Sequence, residues 1–384
     1  MKFKLFSILL IVLGCGFLNV NISLGSDITT LQKVIREKGA KWTAGETSVS
    51  NLSSDSNGML EGTIKRFLKA NTALGSDIKI LRKAIKKNGA NWTAGETSVS
   101  NLTIEEMKNR CGIIFPENYT TREREESVAL SLEAATTFFD WRDWNTVTPI
   151  KDQGRCSSCY AFATVGAFES KLLISGVSVG NDLSEQLMVS CDTSNLGCVG
   201  GWMGRACDFL QYIGTTPESC FLYKAMDLNC NSSNKCSDWR QKLIKIGGWA
   251  WVSNNENSIK NALVKYGPLP TTLHVHEEFY SYTGGVYERI SGVYDGGHAV
   301  IIVGWDDFPE IPGGGTGKPC WICKNSWGTG WGEDGYFRIA IGDSCNIGAL
   351  TTCFYLNSTL PSDEIINNYH ITNKKSGCFL NNLK

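Results

Sequence analysis

Net charge is nearly absent from this sequence of 384 residues, in which 37 basic side chains stand against 38 acidic ones. A chain so evenly balanced has no strong field to recruit nucleic acid or an anionic membrane surface, so no nucleic-acid partner is expected. The apolar run at the N-terminus, residues 5–18, is too short to cross a bilayer comfortably. Histidine is scarce, with four residues, which restricts the candidates for acid–base chemistry near neutral pH.

The first residues have the features of a signal peptide. Lys2 and Lys4 precede the apolar run, and the small residues Ser23 and Gly25 follow it. We therefore predict a signal peptide over residues 1–25, with secretion to the extracellular space or to a lysosome- or vacuole-like compartment. The residues before Cys15 also resemble a bacterial lipoprotein signal, so a lipid anchor on Cys15 is the alternative. The fifteen cysteines agree with export, because disulfides form in oxidising compartments.

An internal repeat follows the signal. Residues 25–53 return as 75–103, and the stretch 42–52 is identical to 92–102. Both copies place apolar residues at helical spacing and then a glycine, which predicts a helix in each. These positions are Ile28, Leu31, Ile35 and Gly39 in the first copy and Ile78, Leu81, Ile85 and Gly89 in the second. Composition changes near Ala135, so we predict a leader over 26–135, a globular domain over 136–357, and a tail over 358–384 to which we assign no role.

Cys159 lies where a loop, residues 153–158, meets a stretch with few helix breakers that ends at Gly176. This pattern predicts a buried helix that begins at the cysteine. On the first turn of a helix, unpaired backbone N–H groups and the positive end of the dipole favour thiolate over thiol. We therefore expect Cys159 to be nucleophilic.

A nucleophilic thiolate needs a group that takes its proton and returns it, and imidazole suits this near neutral pH. His298 follows two glycines at the start of a strand-like stretch, 299–303, so we expect its ring to be exposed at a strand end beside a cleft. An Asn oxygen can accept the imidazole N–H and fix the ring, and an indole can shield that bond from water. Asn325 and Trp327 fit these two roles.

Together these motifs resemble the papain family of cysteine proteases. Four blocks agree in order: residues 140–142, the loop 153–162, Gly-Gly-His-Ala-Val at 296–300 and Lys-Asn-Ser-Trp-Gly at 324–328. The loop matches the family pattern C-G-[SA]-C-[WY] except that Ser157 replaces the usual glycine. The resemblance implies an α+β fold with two lobes, preceded by a helical propeptide. The left lobe would be helical, with its central helix starting at Cys159, and the right lobe an antiparallel, barrel-like sheet.

The resemblance also implies a function, that of a cysteine endopeptidase acting on polypeptide substrates through a thioester on Cys159. His298 would be the general acid/base, Asn325 would orient it, and Gln153 would belong to the oxyanion hole. No cofactor or metal ion is implied. Substrate is expected to lie extended along the cleft, with an apolar preference at the second residue upstream of the cut. The residues implied in binding it are Gly200, Gly201, Met203, Thr272, Gly297 and Trp327.

By the same resemblance, residues 26–135 are a propeptide of the cathepsin B type. Such a segment lies in the cleft as an intramolecular inhibitor until it is removed, and the chain is expected to be a monomer. The second repeat copy continues into 104–108, so we expect it to inhibit and the first copy to be dispensable. The disulfides implied by related enzymes are Cys156–Cys198, Cys191–Cys230 and Cys220–Cys236.

Other interpretations of these residues exist. Two CxxC pairs would suit a four-thiolate zinc site or a redox centre. They are Cys156 with Cys159 and Cys320 with Cys323. His274 and His276 alternate along a strand-like stretch and are interpreted as surface or core residues. A catalytically inactive binding protein and a transglutaminase-like acyltransferase are further alternatives, but the complete set of catalytic-type residues and the Trp-rich block around Asn325 favour the protease.

Overall fold

The computed structural model describes residues 19–21, 43–45, 78–115, 125–126, 136–177, 182–231, 233–290 and 292–356. The chain divides into two compact units, Met1–Ala70 and Asn71–Lys384. In the first unit, strands β1 (Asn19–Asn21) and β2 (Thr43–Gly45) pair in parallel. The rest of the predicted signal peptide, the rest of the first repeat copy and the C-terminal tail lie outside the described residues, so the statements about them stay predictions.

The second unit mixes helices and strands. Its helices are α1 (Ile78–Lys87), α2 (Ile104–Lys108), α3 (Cys159–Ile174), α4 (Glu185–Cys191), α5 (Met203–Tyr212) and α6 (Glu256–Tyr266). Its strands are β3 (Trp92–Ala94), β4 (Glu125–Glu126), β5 (Phe138–Asp140), β6 (Gly248–Val252), β7 (Leu269–His276), β8 (Tyr282–Tyr287), β9 (Tyr294–Asp306), β10 (Cys320–Lys324), β11 (Tyr336–Ala340) and β12 (Thr351–Tyr355). None of the helices in these ranges is long and apolar enough to cross a membrane.

Helix α3 is the centre of a helical lobe. It begins at Cys159, as predicted, and most of its side chains are buried against α4, α5 and strand β9. A Cβ at Gly166 would lie 2.8 Å from Ile301 Cδ1, so the glycine allows this helix to approach β9 closely. The burial of both apolar and polar faces explains why α3 shows little amphipathic periodicity.

The second lobe is a seven-stranded sheet in the order β3-β8-β11-β10-β9-β5, with β7 also paired to β9. Its strands are antiparallel, as predicted, except that β8 and β11 pair in parallel. A further sheet contains β12, β6 and β4. We call the part centred on α3 the helical lobe and the part built on the seven-stranded sheet the strand lobe.

Strand β9 contributes to both hydrophobic cores. Its side chains alternate in direction, as in any strand. Ala299, Ile301 and Val303 belong to the core of the helical lobe. Val300 and Ile302 belong to that of the strand lobe. A residue near the start of β9 is therefore positioned at the boundary between the lobes.

Residues 78–115, which we call the N-terminal segment, pack on the strand lobe. Helix α1 forms as predicted and buries Ile78 and Ile85. Gly89 then adopts a positive φ of 63°, the conformation that commonly ends a helix. Strand β3 pairs with β8, and α2 begins with a capping box between Thr103 and Glu106. The segment thus reaches the boundary between the lobes at residues 109–115.

Candidate active site

Cys159 opens α3 at the boundary between the lobes, just after a loop that the Cys156–Cys198 disulfide fixes. Burial raises the pKa of the Cys159 thiol to about 12, although backbone N–H groups of Ala299, Tyr160 and Gly112 lower it. At neutral pH the covered Cys159 is therefore a protonated thiol. Burial thus outweighs the effect of the helix start in the covered state, and the thiolate stays a prediction for the enzyme without the N-terminal segment.

His298 lies within β9 with its ring buried, and not at an exposed strand end as expected. Its Nε2 atom is 2.7 Å from Asn325 Oδ1. The backbone N–H of Ser326 donates to the same Oδ1 at 2.8 Å, which identifies that atom as oxygen, since an N–H can only donate. Nε2 therefore carries the hydrogen. Nδ1 makes no hydrogen bond of normal geometry within the described residues and keeps its lone pair.

Trp327 covers the bond between His298 and Asn325. Its ring centroid lies 4.8 Å from that of His298, with 31° between the planes. Tyr280 stacks on the indole at 5.3 Å, and Trp331 meets it edge-on at 4.9 Å. Burial lowers the pKa of His298 to about 4, and the hydrogen bond to Asn325 offsets only part of this effect. The imidazole is therefore neutral at neutral pH in the covered state.

Gln153 is fully buried beside Cys159, and its side-chain amide is held at both ends. Its Oε1 accepts a hydrogen bond from Ser326 Oγ at 2.7 Å. Its Nε2 donates to the Cys156 carbonyl at 2.9 Å and to the Arg110 carbonyl at 3.3 Å. The Arg110 carbonyl of the N-terminal segment thus accepts a hydrogen bond from Gln153 Nε2, the donor that the family resemblance assigned to the oxyanion hole.

The predicted substrate-binding glycines contact the N-terminal segment through backbone hydrogen bonds. Gly201 N donates to Gly112 O at 2.8 Å, and Gly201 O accepts from Ile114 N at 2.9 Å. On the opposite wall, Gly297 O accepts from Ile113 N at 3.0 Å. Any Cβ at Gly200, where φ is +133°, would lie 2.6 Å from Gly112 O, so only glycine lets the backbones approach this closely.

Met203 and Thr272 are both buried in the core. Met203 Sδ accepts a hydrogen bond from Thr352 Oγ1 at 3.9 Å, and Thr272 pairs with Ala299 across β7 and β9. Their role in binding substrate therefore stays a prediction.

Trp202 and His274 are two aromatic residues of this part of the cleft that the sequence did not identify as site residues. The Phe115 ring of the N-terminal segment lies 6.0 Å from Trp202 and 6.4 Å, edge-on, from His274. His274 is the cross-strand partner of Gly297, so the two share one face of the sheet. If the strand that contains His274 had been paired with the Gly-Gly-His strand, this pairing would have indicated that His274 lies in the cleft. The interpretation of His274 as a surface or core residue overlooked it.

An ion pair on the other side of Cys159 was also missed. The Arg110 guanidinium of the N-terminal segment binds the Asp152 carboxylate, next to Gln153 in the sequence. Trp327 Nε1 donates to the Arg110 carbonyl at 3.3 Å. A second ion pair joins Glu106 to Arg155 at 2.7 Å. Sequence gave no signal for these contacts because each joins residues more than forty positions apart.

The described cysteines of the two CxxC pairs do not converge on a zinc centre. All three implied disulfides are present: Cys156–Cys198, Cys191–Cys230 and Cys220–Cys236. Cys320 and Cys323 belong to different apolar clusters on opposite sides of β10, so the two CxxC pairs cannot converge on one ion. Within the described ranges, no group of three His, Cys, Asp or Glu side chains is placed to hold a metal.

Comparison with known proteins relates this site to one family. Residues 135–355 match the papain family cysteine protease domain. Cathepsin B-like CP2 of Giardia intestinalis is 35% identical over 217 residues, which cover 54% of this chain and 70% of that protein. Digestive cysteine proteinase 1 of Homarus americanus is 35% identical over 252 residues, which cover 62% and 73% of the two chains.

Solved structures of precursors have a similar fold. Procathepsin L2 from Tenebrio molitor larval midgut superposes with a TM-score of 0.62 at 26% identity, covering 85% of this chain and 99% of that one. Procathepsin B S9 from Trypanosoma congolense has the same fold, with a TM-score of 0.62 at 24% identity and coverage of 73% and 98%. This chain therefore belongs to the papain family of cysteine proteases and is the inactive precursor of such an enzyme.

Proposed function

We propose that the chain is a secreted cysteine endopeptidase in which Cys159 is the nucleophile and His298 the general acid/base. The observation that carries this proposal is the hydrogen bond from His298 Nε2 to Asn325 Oδ1, which leaves Nδ1 with a free lone pair. The backbone N–H of Ala299, the residue after His298, hydrogen-bonds to the Cys159 thiol, which supports a position for His298 close to Cys159. In this proposal one ring nitrogen is fixed by Asn325 and the other faces the thiol.

Once the N-terminal segment leaves, Nδ1 takes the proton of Cys159 and the thiolate attacks the scissile carbonyl carbon. Gln153 Nε2 and the Cys159 backbone N–H then donate to the oxygen on which negative charge develops. Loss of one such donor typically costs about 2.7–4 kcal/mol of barrier. The imidazolium returns its proton to the leaving amine as the thioester forms. Water, deprotonated by His298, then hydrolyses the thioester and frees Cys159.

The upstream part of the substrate would bind where residues 112–115 of the N-terminal segment now lie. Gly201 and Gly297 offer backbone groups there, and their hydrogen bonds to Gly112, Ile113 and Ile114 support this position. The buried Ile113 side chain supports an apolar preference in the adjoining pocket. In the precursor, residues 109–115 already hydrogen-bond to these backbone groups and to Gln153. This accounts for inhibition without any covalent change.

Within the leader, we propose that the second repeat copy inhibits and the first is dispensable. The contacts described above come from residues 78–115, which begin in the second copy. A variant lacking residues 25–73 should fold and stay inactive until it is processed, as measured by peptide hydrolysis before and after limited proteolysis. Constitutive activity or failure to fold would show that the first copy is required. The signal-like N-terminus and the three disulfides support secretion.

The catalytic assignment is tested with Cys159→Ser. Processed wild-type enzyme should cut an internally quenched peptide blocked at both ends, and the variant should lose at least about a thousandfold in kcat. The variant should still bind a peptide of residues 75–115, which serves as the control for folding. Hydrolysis at the wild-type rate by a variant that binds this peptide would refute Cys159 as the nucleophile.

A further inference from the structure

Asp152 is an acidic group at the rim of the cleft that the proposed chemistry does not use. In the precursor its carboxylate binds the guanidinium of Arg110, whose side chain is only 9% exposed, whereas that of Asp152 is 50% exposed. Asp152 also accepts a hydrogen bond from the backbone N–H of Gly154 at 2.9 Å, which fixes the orientation of the carboxylate. Its partner comes from the N-terminal segment, so removal of the segment leaves Asp152 without that cation.

The position of Asp152 along the cleft follows from the path of the N-terminal segment. The N–H of Gly112 acts on the Cys159 thiol, and Ile113 and Ile114 continue toward Gly297 and Gly201. Arg110 lies before Gly112, with its carbonyl on Gln153 Nε2. Asp152 is therefore on the opposite side of the nucleophile from Gly201. If the upstream part of a substrate binds at Gly201, Asp152 faces the part that departs with the leaving amine.

A second charged residue of the enzyme lies in the same region and also pairs with the N-terminal segment. Arg155, whose side chain is 74% exposed, binds Glu106 at 2.7 Å. The carboxylate and guanidinium of the enzyme thus face a guanidinium and a carboxylate of the N-terminal segment.

We propose that Asp152 is a specificity-determining residue that recognises a basic side chain of the peptide substrate on the leaving-group side of the scissile bond. Arg110 shows the ligand chemistry, a guanidinium brought to Asp152 by a backbone that lies in the cleft. The inference rests on the proposed function, because it assigns a substrate class to the same site. An ion pair at the rim of a cleft contributes modestly, so we expect about a fivefold effect on kcat/KM.

The test uses enzyme processed from the full chain and a panel of internally quenched peptides with one constant upstream half. Arginine is placed at the first, second or third position after the bond, and each peptide is matched by one with citrulline, which has the same shape without the charge. Active enzyme is counted by titration with a thiol-directed epoxide. Wild type, Asp152→Asn and Asp143→Asn are compared; the last removes a charge at an exposed residue outside the cleft. Asparagine retains the oxygen that accepts from Gly154.

We expect arginine to be preferred over citrulline about fivefold at one of the three positions, and this ratio to fall to about one in Asp152→Asn but not in Asp143→Asn. An equal ratio in wild type at all positions, or a preference that survives in Asp152→Asn, would overturn the inference while leaving the protease assignment intact. If titrated wild-type enzyme cut none of the peptides, the proposed function would fail and the inference with it.

Discussion

The N-terminal segment consists of two parts that are held in different ways. Residues 78–102 attach to the strand lobe mainly by burial of apolar side chains and by the pairing of β3 with β8. Residues 103–115 lie at the active site and bury Met107, Cys111 and Ile113, but they add backbone hydrogen bonds to the cleft walls and two ion pairs. We call the first part the anchor and the second part the cleft strand.

The difference indicates that attachment and inhibition are separable. Trp92 is 3% exposed and packs against Tyr287 at 5.0 Å between ring centroids, and none of these groups titrates near neutral pH. The cleft strand, by contrast, covers Cys159 and His298, and burial in the covered state shifts the pKa of both groups. Acid should therefore weaken the cleft strand and leave the anchor in place.

The largest effect is expected from Trp92→Ala, which removes the main apolar contact of the anchor. Truncation of a buried aromatic residue typically costs about 3–5 kcal/mol, so the affinity of a peptide of residues 75–115 for processed enzyme should fall at least about a hundredfold. Inhibition constants measured at one pH provide the comparison. Ile80→Ala, in helix α1 of the same segment, is the control because Ile80 is 61% exposed. Equal losses in the two variants would show that the anchor does not depend on burial.

The next largest effect is expected from pH, acting through His298. Burial lowers the pKa of His298 from 6.5 to about 4 in the covered state, so between these values the uncovered imidazole binds a proton that the covered one does not. Affinity for the peptide is therefore complete above pH 6.5 and decreases by up to about tenfold per pH unit as pH falls toward 4. The raised pKa of the covered Cys159 thiol acts in the opposite direction, so affinity should also decrease at alkaline pH, where the uncovered thiol ionises and the covered one does not.

This pH dependence separates the two parts of the segment. Fluorescence anisotropy of labelled peptide from pH 4 to 8 should give parallel curves for wild-type and Trp92→Ala peptides, displaced by a constant factor. A slope that changes with the anchor variant, or affinity that is independent of pH, would contradict the division.

The smallest effect is expected from Glu106→Gln in the cleft strand. Hydrogen bonds from the backbone and side chain of Thr103, and then the charge of Arg155, hold the pKa of Glu106 below its ordinary value of 4.5. Its contribution is therefore present above pH 4.5 and is lost as pH falls below it. Since Arg155 is 74% exposed, binding of the Glu106→Gln peptide at neutral pH should weaken only a few-fold. A loss as large as that of Trp92→Ala would reverse the ranking.

Much of the fold and the reactive groups could be predicted from sequence because local patterns specify them. A loop before a breaker-poor stretch indicated where α3 begins, and Gly-Gly-His followed by apolar residues indicated β9. Helical spacing indicated α1, and Gly89 its end. Each of these signals lies within about twenty neighbouring residues, so no long-range contact is needed to detect it.

What sequence could not give depends on contacts between distant segments. The raised pKa of Cys159 results from its complete burial, which no local pattern shows. The position of His274 in the cleft depends on the register between β7 and β9. The pairing of Arg110 with Asp152 depends on how a separate segment crosses the cleft. These features follow from packing and must be observed.

Labelling by a thiol-directed epoxide, located by mass spectrometry, tests most directly the claim that Cys159 is the nucleophile and is covered in the precursor. In processed enzyme at pH 6.5, the adduct should be on Cys159 alone. In the intact precursor at the same pH, Cys159 should stay unlabelled, and labelling should begin as pH is lowered toward 4. An adduct on a different cysteine of the processed enzyme, or equally fast labelling of Cys159 in the intact precursor, would contradict the account.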